Sequence, residues 1–425
     1  MTLLIKNGRV IDPLSKLDRC CDILIDEGTI VTIDTNIKQQ RNIQIVDAQD
    51  CIVLPGLVDM HVHFREPGRE DIETIAGGST VAAKSGYTSV CTMPNTNPVI
   101  DSQALVRYIK KQAESGFINV HPIAAITKGS LGEELTEMGE LIEGGAIAFS
   151  DDGKPVLNST TMRRALEYSR MFNVPIITHA EDTTLSGGGI MNEGNNSIFL
   201  GLKGIPKEAE EIMIARDILL ARLTKGRLHI AHVSSKGSLD IIAMAKQHSL
   251  PVTCETAPHY FSLTDDAIAD HLAMAKMNPP LRTEEDRKAI IEGLRTGLID
   301  VIATDHAPHL SNEKMQEIVF APFGIIGLET AVPLIITILV KENGFSYLQA
   351  FEKVTINPCT ILGIDRGYIK EGAVADITIV NPEKKVIVDN NFIISRCKNT
   401  PFLDREFFGL VTHTICNGMI VYPFR

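Results

Sequence analysis

Histidines and aspartates stand at or just after the ends of several short apolar runs, a pattern typical of a metal site. His61 and His63 close one run and are separated by one residue, so in a β-strand both imidazoles point to the same side. The other candidates are Asp152, His179, His232 and Asp305. Imidazole nitrogens with carboxylate oxygens suit zinc, whereas magnesium and calcium prefer oxygen ligands alone. The six side chains therefore predict a site for one or two zinc ions per subunit.

Each candidate also has an ordinary explanation when it is taken alone. A lone histidine after a strand is commonly a hydrogen-bonded core residue, and Asp152 or Asp305 could cap a turn or loop. The recurrence of these residue types after separate apolar runs favours the metal site. We expect the histidines outside this pattern to be structural or solvated, namely His121, His229, His248, His271 and His413. The sequence leaves the role of His259 open.

The middle of the chain alternates short apolar runs with longer amphipathic stretches. Beginning at Pro206, one stretch predicts a helix that buries the face carrying Ile212, Ala215, Leu219 and Leu223. The apolar runs number eight, and eight strands alternating with helices predict a (β/α)8 barrel of the TIM type, whose chemistry lies at the carboxyl ends of the strands. The predicted strands are 56–63, 88–93, 118–126, 146–150, 174–179, 228–233, 251–256 and 299–304.

Both ends of the chain have the alternating pattern of antiparallel β-structure. Asn7-Gly8, Glu27-Gly28 and Asn417-Gly418 each lie between apolar runs and predict hairpin turns. We therefore expect the two ends to form one small β-sandwich domain around the barrel. The predicted limits are 1–54 and 365–425 for the two parts of the sandwich and 55–364 for the barrel.

Composition narrows the partners and the compartment. With 41 basic and 53 acidic residues the net charge is −12, which argues against nucleic acid or an anionic membrane as a partner. The sequence shows no signal peptide, and the apolar stretch 331–340 is shorter than the ~20 residues that span a bilayer. Eight cysteines without a C-x-x-C pair suit a reducing cytosol. We expect a soluble cytoplasmic protein that acts on a small molecule.

Two motifs carry a specific family resemblance. VDMHVHFREP resembles the D-x-H-x-H motif of the amidohydrolase superfamily, extended by the Arg and Pro of dihydroorotases, and ATDHAPHLSNEK is similar to the second dihydroorotase signature. MPNTNP, FSDDG, KMNPPLR and APFG also resemble bacterial single-function dihydroorotases, and the resemblance runs from about residue 52 to residue 330. It implies reversible, zinc-dependent hydrolysis of the cyclic amide of (S)-dihydroorotate to N-carbamoyl-L-aspartate, a step of pyrimidine biosynthesis.

The resemblance also implies roles for individual residues. The metal ligands would be His61, His63, Asp152, His179 and His232, together with Asp305, which would also be the catalytic general acid and base. The substrate-binding residues would be His63, Arg65, Asn95, Asn278, His309, Phe323 and Gly324. Arg65, Asn95 and His309 would take the substrate carboxylate. Independently of the resemblance, the segment 310–324 lacks a clear period, and we expect it to act as a lid, as barrel loops often do.

Simpler roles remain for three of these substrate-binding residues. Arg65 could be an exposed residue paired with Glu66 or Glu70, and Asn95 could be a turn residue before Pro98. Phe323 could anchor its loop.

Two alternatives to a dihydroorotase remain open. Hydantoinases and allantoinases resemble this chain but place a carboxylated Lys on the fourth strand, where GAIAFSDDG has none and Lys154 lies beyond Gly153. The departure favours the bacterial dihydroorotase branch and leaves the number of zinc ions open. The second alternative is an inactive scaffold for aspartate transcarbamoylase, although this sequence keeps every expected ligand. The resemblance implies a homodimer and leaves an association with aspartate transcarbamoylase open.

Overall fold

The computed structural model describes residues 2–38 and 43–424. Parts of the predicted terminal segments, Met1, 39–42 and Arg425, lie outside the described residues. The strands, in chain order, are β1 (Leu3–Asp12), β2 (Leu17–Asp26), β3 (Thr29–Asp34), β4 (Gln44–Asp47), β5 (Ile52–Pro55), β6 (Leu57–Val62), β7 (Tyr87–Thr92), β8 (Asn119–Pro122), β9 (Phe149–Ser150), β10 (Ile176–Thr178), β11 (Met191–Asn192), β12 (Gly204–Ile205), β13 (Leu228–Ile230), β14 (Val252–Thr256), β15 (Val301–Ile302), β16 (Ile377–Ile387), β17 (Glu406–Cys416) and β18 (Met419–Tyr422).

Helices fill most of the connections between the barrel strands. The α-helices are α1 (Ile75–Lys84), α2 (Gln103–Ala113), α3 (Met138–Gly144), α4 (Ser159–Arg170), α5 (Thr183–Ser186), α6 (Asn195–Leu200), α7 (Glu208–Thr224), α8 (Lys236–Gln247), α9 (Pro258–Ser262), α10 (Ala267–His271), α11 (Glu284–Thr296), α12 (Ser311–Lys314), α13 (Leu328–Leu334), α14 (Tyr347–Phe351) and α15 (Ile356–Leu362). Short 3₁₀ turns occupy Lys128–Ser130, Leu272–Ala275 and Glu352–Val354, and a π-helix, Ile335–Glu342, continues α13. Among the described residues no helix has both the length and the apolar character needed to cross a membrane.

Eight parallel strands form a closed barrel, as the sequence predicts. β6, β7 and β8 pair in order, as do β9, β10, β13, β14 and β15. Parallel bridges from Ala124 to Phe149 and from Val62 to His306 join the two groups and close the ring. Each of the eight predicted runs overlaps one of these strands. The barrel strands are short, two to six residues each, and the segments that follow them form the loops around the barrel mouth.

The barrel interior begins as an apolar layer. Met60, Cys91, Ile177 and Val301 come from strands all round the ring, yet they belong to one contacting buried cluster. Side chains from opposite sides of a closed barrel can meet only through its interior. This layer excludes water beneath the polar residues that follow at the strand ends.

The helix predicted from Pro206 is present as α7, but its predicted buried face is wrong. Ile212, Leu219 and Leu223 are 50%, 52% and 60% exposed. The face that packs against the barrel includes Glu210 and Asp217, whose carboxylates accept hydrogen bonds from Ser234 and Thr178. Apolar periodicity missed this face because two of its buried residues are charged and find their partners only in the folded barrel.

The two ends of the chain together form one eight-stranded sheet, with strand order β18-β17-β16-β5-β1-β2-β3 and β4 also paired to β1. Ile30 of β3 and Ile415 of β17 belong to the same buried cluster although they lie far apart in this order. The sheet therefore folds over a common apolar core, where the sequence predicted a sandwich. The predicted limits 1–54, 55–364 and 365–425 stay a prediction.

Two of the three predicted hairpin turns are confirmed, and the first is wrong. Glu27-Gly28 and Asn417-Gly418 are two-residue turns in which all four residues have positive φ. Asn7 also has positive φ, but β1 continues through it as a bulge, and the chain turns later, at residues 13–16. A residue with positive φ beside a glycine occurs both at bulges and in tight turns, so the two can look alike in sequence.

The contact between the two confirmed turns predicts a measurable loss of stability. A Cβ added at Gly418 would lie 2.3 Å from the Gly28 Cα, whereas Gly372, also at positive φ, has open space around it. We expect Gly418→Ala to cost roughly 1–3 kcal/mol more than Gly372→Ala, since both substitutions strain the backbone but only the first overpacks a contact. Urea unfolding of the two variants measures the difference. Equal losses would contradict the contact.

Candidate metal centre and substrate pocket

The six predicted ligands converge at the carboxyl ends of the barrel strands. His61 lies in β6 and His179 directly follows β10, while the others lie in the loops just after their strands. The donor atoms form two groups, each within 4.8 Å: His61, His63 and Asp152, and Asp152, His179 and His232. Asp152 belongs to both groups. The arrangement therefore offers two neighbouring positions for a cation with one shared carboxylate.

Asp152 is surrounded by imidazole nitrogens at distances too long for good hydrogen bonds. Its Oδ1 lies 3.4 Å from His61 Nε2, 3.6 Å from His232 Nε2 and 3.8 Å from His179 Nδ1, and its Oδ2 lies 3.4 Å from His63 Nε2. Asp152 Oδ1 and His61 Nε2 are buried without a hydrogen-bond partner. Unsatisfied buried polar atoms are costly, and a cation between them would satisfy both. The residues present therefore fit a metal ion.

Electrostatics keep this carboxylate ionised. Burial alone would raise the pKa of the Asp152 carboxyl, but the charge of His61 and the contacts with His232 hold it well below its usual range. For Asp305, burial is likewise outweighed by the hydrogen bond from His63 and the charge of His61, and its pKa is lowered. Asp305 Oδ1 lies 3.0 Å from His63 Nε2 and 3.6 Å from His61 Nε2. Both carboxylates are therefore negative at the barrel mouth.

Two of the ligand residues have unusual backbone conformations. His232 has φ of 35° and Asp305 has φ of 49°, in the left-handed region that L-residues rarely adopt. Each lies just after a barrel strand, where the sharp turn directs its side chain towards the barrel axis. Such strain persists where the surrounding structure enforces it, and it is common at functional sites.

Carboxylates behind the ligands set which imidazole nitrogen faces the site. Glu255 Oε1 accepts a hydrogen bond from His61 Nδ1 at 2.6 Å, so Nε2 is the His61 nitrogen that faces the site. Glu181 Oε2 lies 3.2 Å from His179 Nε2 and leaves Nδ1 facing the site in the same way. The second Glu255 oxygen lies 3.2 Å from His229 Nε2, so His229 is structural, as expected.

Sequence reasoning missed both supporting glutamates. The signal for Glu255 is a carboxylate inside the apolar run 251–256, where burial demands a partner. Glu181 lies two residues after His179 and also accepts a hydrogen bond from Asn278 at 2.9 Å. His259, whose role the sequence left open, is buried behind the site without a hydrogen-bond partner for Nε2, and burial lowers its pKa to about 4.

A cavity of about 200 Å³ opens beside the metal ligands. All seven residues predicted to bind substrate line this cavity. One of them, His63, is also a candidate metal ligand. The lining residues are His63, Arg65, Asn95, Asp152, Gly153, His179, His232, Asn278, Asp305, Ala307, His309, Phe323 and Gly324. The lining of this one cavity therefore combines the cation candidates with Arg, amide and ring side chains.

Arg65 faces this cavity without a carboxylate partner among the described residues. Its Nε donates to the carbonyl oxygen of Pro308 at 3.2 Å, and its Nη2 lies 3.4 Å from His309 Nε2. The neighbours proposed as surface partners are engaged elsewhere: Glu66 accepts from Tyr108, and Glu70 accepts from the Gly68 amide. Burial lowers the pKa of the Arg65 guanidinium. An anion in the cavity would compensate this buried charge.

Asn95 and His309 complete the same wall. Asn95 Oδ1 lies 2.9 Å from His63 Nδ1, so the NH₂ group of Asn95 takes no part in this contact. The other ring nitrogen of His63, Nε2, faces the carboxylates. Burial and the charge of Arg65 lower the pKa of His309 to about 3, so this imidazole is neutral. Asn399 Oδ1 accepts a hydrogen bond from the backbone amide of His309 at 3.1 Å and so fixes the loop that carries His309. Sequence reasoning did not identify this contact. Arg65 is thus the positive charge of the wall.

Comparison with known proteins gives one consistent family. A protein-family model described as Dihydro-orotase-like matches residues 50–238. The dihydroorotase of Pelobacter propionicus is 51% identical over 423 residues, covering 99% of this chain and 100% of that protein. The dihydroorotase of Acetivibrio thermocellus is 50% identical over 420 residues, covering 99% and 98% of the two chains.

Solved structures show the same fold at lower identity. The L-hydantoinase from Arthrobacter aurescens matches with a TM-score of 0.88 and 24% identity, covering 98% of this chain and 95% of that one. The D-hydantoinase from a Thermus species matches with a TM-score of 0.85 and 22% identity, covering 98% and 94%. These likenesses concern the fold alone.

The hydrogen bond from His61 to Glu255 predicts a change in metal affinity. We expect Glu255→Gln to weaken metal binding by roughly 10- to 100-fold, because the carboxylate that orients His61 becomes a neutral amide. Competition with a chelator measures the affinity. Glu329→Gln is the matched control, since Glu329 is also buried but pairs with Lys84 away from the ligands. Metal affinity unchanged in the first variant would contradict this role.

Proposed function

The chain belongs to the dihydroorotase family, and from this premise we propose how its residues hydrolyse the cyclic amide of (S)-dihydroorotate to N-carbamoyl-L-aspartate. The chain is a hydrolase of cyclic amides that acts in the third step of de novo pyrimidine synthesis. The observation that carries the residue assignment is the shared cavity. Five of the six candidate ligands line it, all but His61, and so does Arg65, which has no carboxylate partner among the described residues.

Zinc is the cofactor that we propose. Nitrogen and carboxylate donors together match its preferences, and the two ligand groups that share Asp152 support two ions per subunit. One ion would be held by His61, His63 and Asp152, with Asp305 close enough to join them, and the other by Asp152, His179 and His232. When bound, zinc would polarise the amide carbonyl and bring the pKa of water from 15.7 to roughly 7.

Asp305 is the general acid and base in this proposal. Its carboxylate is ionised, lies in the cavity and is held by His63, so it can accept the proton of the attacking water. It then donates that proton to the ring nitrogen as the amide bond breaks. The same carboxylate serves the reverse, ring-closing direction by the opposite transfers.

Arg65 orients the substrate in this proposal by binding its carboxylate. A planar guanidinium matches a carboxylate in two hydrogen bonds, and Asn95 and His309 lie beside it as neutral partners. Asn278, Phe323 and Gly324, which line the same cavity, would contact the ring. The substrate amide would then lie between this wall and the metal ligands.

The alternatives predict other results. A hydantoinase or allantoinase would use a carboxylated Lys after β9, but here Lys154 is exposed to solvent and Asp152 takes the central position. An inactive scaffold would not need the convergent ligands. Substrate preference and metal content therefore discriminate among the three.

Assembly and compartment are further parts of the proposal. The exposed apolar face of α7, with Ile212, Leu219 and Leu223, supports a homodimer, since large apolar side chains clustered on a surface mark interaction sites. All eight cysteines are free thiols, which supports a cytoplasmic location. An association with aspartate transcarbamoylase stays a prediction from the family resemblance.

The function itself is tested with the purified zinc-loaded protein. We expect hydrolysis of dihydroorotate and no comparable turnover of allantoin or hydantoin. Asp305→Asn should retain metal at least in part yet lower kcat by roughly 10²- to 10⁴-fold, because the proton relay is lost. Preference for allantoin or hydantoin would support the alternative amidases, and a protein with neither zinc nor activity would support the scaffold. Near wild-type turnover in Asp305→Asn would remove this residue from the mechanism.

The carboxylate site is tested by Arg65→Met. We expect KM for dihydroorotate to rise by at least tenfold while zinc content stays unchanged, because charge-assisted hydrogen bonds to the substrate are lost and no ligand is touched. Steady-state kinetics and metal analysis provide the two measurements. Arg163→Met is the matched control, since Arg163 is exposed and pairs with Glu167 on α4, away from the cavity. If the KM of Arg65→Met equals that of the control, the carboxylate binds elsewhere.

A further inference from the structure

Two buried lysines lie behind the pocket wall that carries Phe323 and Gly324. Lys276 and Lys314 are only 3% and 2% exposed. Lys314 is also the last residue of the motif ATDHAPHLSNEK, and the proposed mechanism gives it no role. Burying a lysine is costly unless its ammonium group is satisfied, so the contacts of these two require an explanation.

Lys276 binds the loop that follows α12. Its Nζ donates to the carbonyl oxygens of Ile318, Val319 and Ala321, at 2.8, 3.3 and 2.7 Å. The same ammonium lies 4.4 Å from the centre of the Phe323 ring. An ammonium group has three N–H donors, so this arrangement uses all of them on one loop.

Lys314 binds the other end of the same loop. Its Nζ donates to the carbonyl oxygens of Pro322 and Gly324, both at 2.9 Å, and of Lys276, at 3.3 Å. The Lys276 carbonyl also accepts the Gly324 amide at 3.0 Å. The loop 315–324 is thereby joined to the segment that leads, two residues later, to Asn278.

Apolar burial accounts for only part of the position of this loop. Met315, Val319 and Phe320 are 79%, 51% and 71% exposed and point away from the protein, whereas Ile318 is partly buried and packs against the main core. Among the described residues no carboxylate accompanies either ammonium, and burial lowers the pKa of both lysines, that of Lys314 to about 7. Six hydrogen bonds to carbonyl oxygens are what hold the two charges in the interior.

Gly324 shows why the loop must be placed accurately. With φ of 116°, it passes so close to the neighbouring loop that an added Cβ would lie 2.7 Å from the Ala307 Cβ and 3.2 Å from His309 Nε2. His309 belongs to the proposed carboxylate wall. A shift of the loop would therefore change both sides of the cavity at once.

We propose that Lys276 and Lys314 are a pair of positioning residues that fix the loop 315–324 against the pocket and thereby set the affinity for the substrate. The lid expected over 310–324 stays a prediction from the sequence; in this proposal the lysine pair holds residues 315–324 as a preformed wall. Preformed walls raise affinity because the substrate does not have to order them. The inference rests on the proposed function, since it names the group that positions the ring-side contacts.

Lys276→Met and Lys314→Met test the pair, because methionine keeps the volume and removes the donors. We expect each variant to raise KM for dihydroorotate by roughly tenfold, with kcat within about threefold and zinc content unchanged. The double variant should be little worse than either single one, since both changes release the same loop. Lys353→Met, at a lysine that is also buried but pairs with Glu352, should leave KM unchanged.

Amide hydrogen exchange on the zinc-loaded wild-type protein gives an independent readout. The amides of Phe320 and Ala321 donate to the carbonyl oxygen of Glu317, and the Gly324 amide donates to that of Lys276, so all three should exchange far more slowly than in an unstructured peptide. Unprotected amides, or an unchanged KM in folded, zinc-loaded lysine variants, would overturn the inference. If the wild type lacks dihydroorotase activity while these amides are protected, the proposed function fails but the held loop stands.

Discussion

The structure depends on one buried carboxylate, Asp152, which lies among four imidazole rings. None of these contacts is a good hydrogen bond, so the carboxylate and the facing His61 Nε2 are costly groups to bury without a cation. The other residues of the site hold the Asp152 carboxylate and the His61 ring in these buried positions. Glu255 and Glu181 fix the imidazoles from behind, and the left-handed backbone at His232 and Asp305 turns those side chains inward.

Closure of the barrel brings the two ends of this site together. Asp59, two residues before His61, accepts hydrogen bonds from the amide and hydroxyl of Thr304, the residue before Asp305. The His63 amide also donates to the carbonyl oxygen of His306 at 2.8 Å. The first and eighth strands are thus joined at the level of the ligands. His63 and Asp305 lie 3.0 Å apart for this reason although 242 positions separate them.

Much of this arrangement could be predicted from the sequence because it depends on local patterns. Strand periodicity placed the eight barrel strands, and the position of His and Asp after those strands indicated the ligands. The errors occurred where the outcome depends on distant partners. α7 buries Glu210 and Asp217 because their carboxylates accept hydrogen bonds from Ser234 and Thr178. Asn7-Gly8 forms a bulge and not a turn because β1 continues between its partners β2 and β4. Glu255, Glu181 and the lysine pair are likewise defined by contacts across the fold.

The sheet built from both ends of the chain has a consequence for biosynthesis. β5 ends one residue before β6, the strand that carries His61, and its antiparallel partner is β16. The amide of Gly56, between β5 and β6, donates to the carbonyl oxygen of Asp376 at 2.8 Å. During translation, β5 therefore has no such partner until more than 300 further residues have left the ribosome. β5 and β6 can pair early with β1 and β7, but the corner that leads into the His61 strand is completed only when β16, made more than 300 residues later, joins β5.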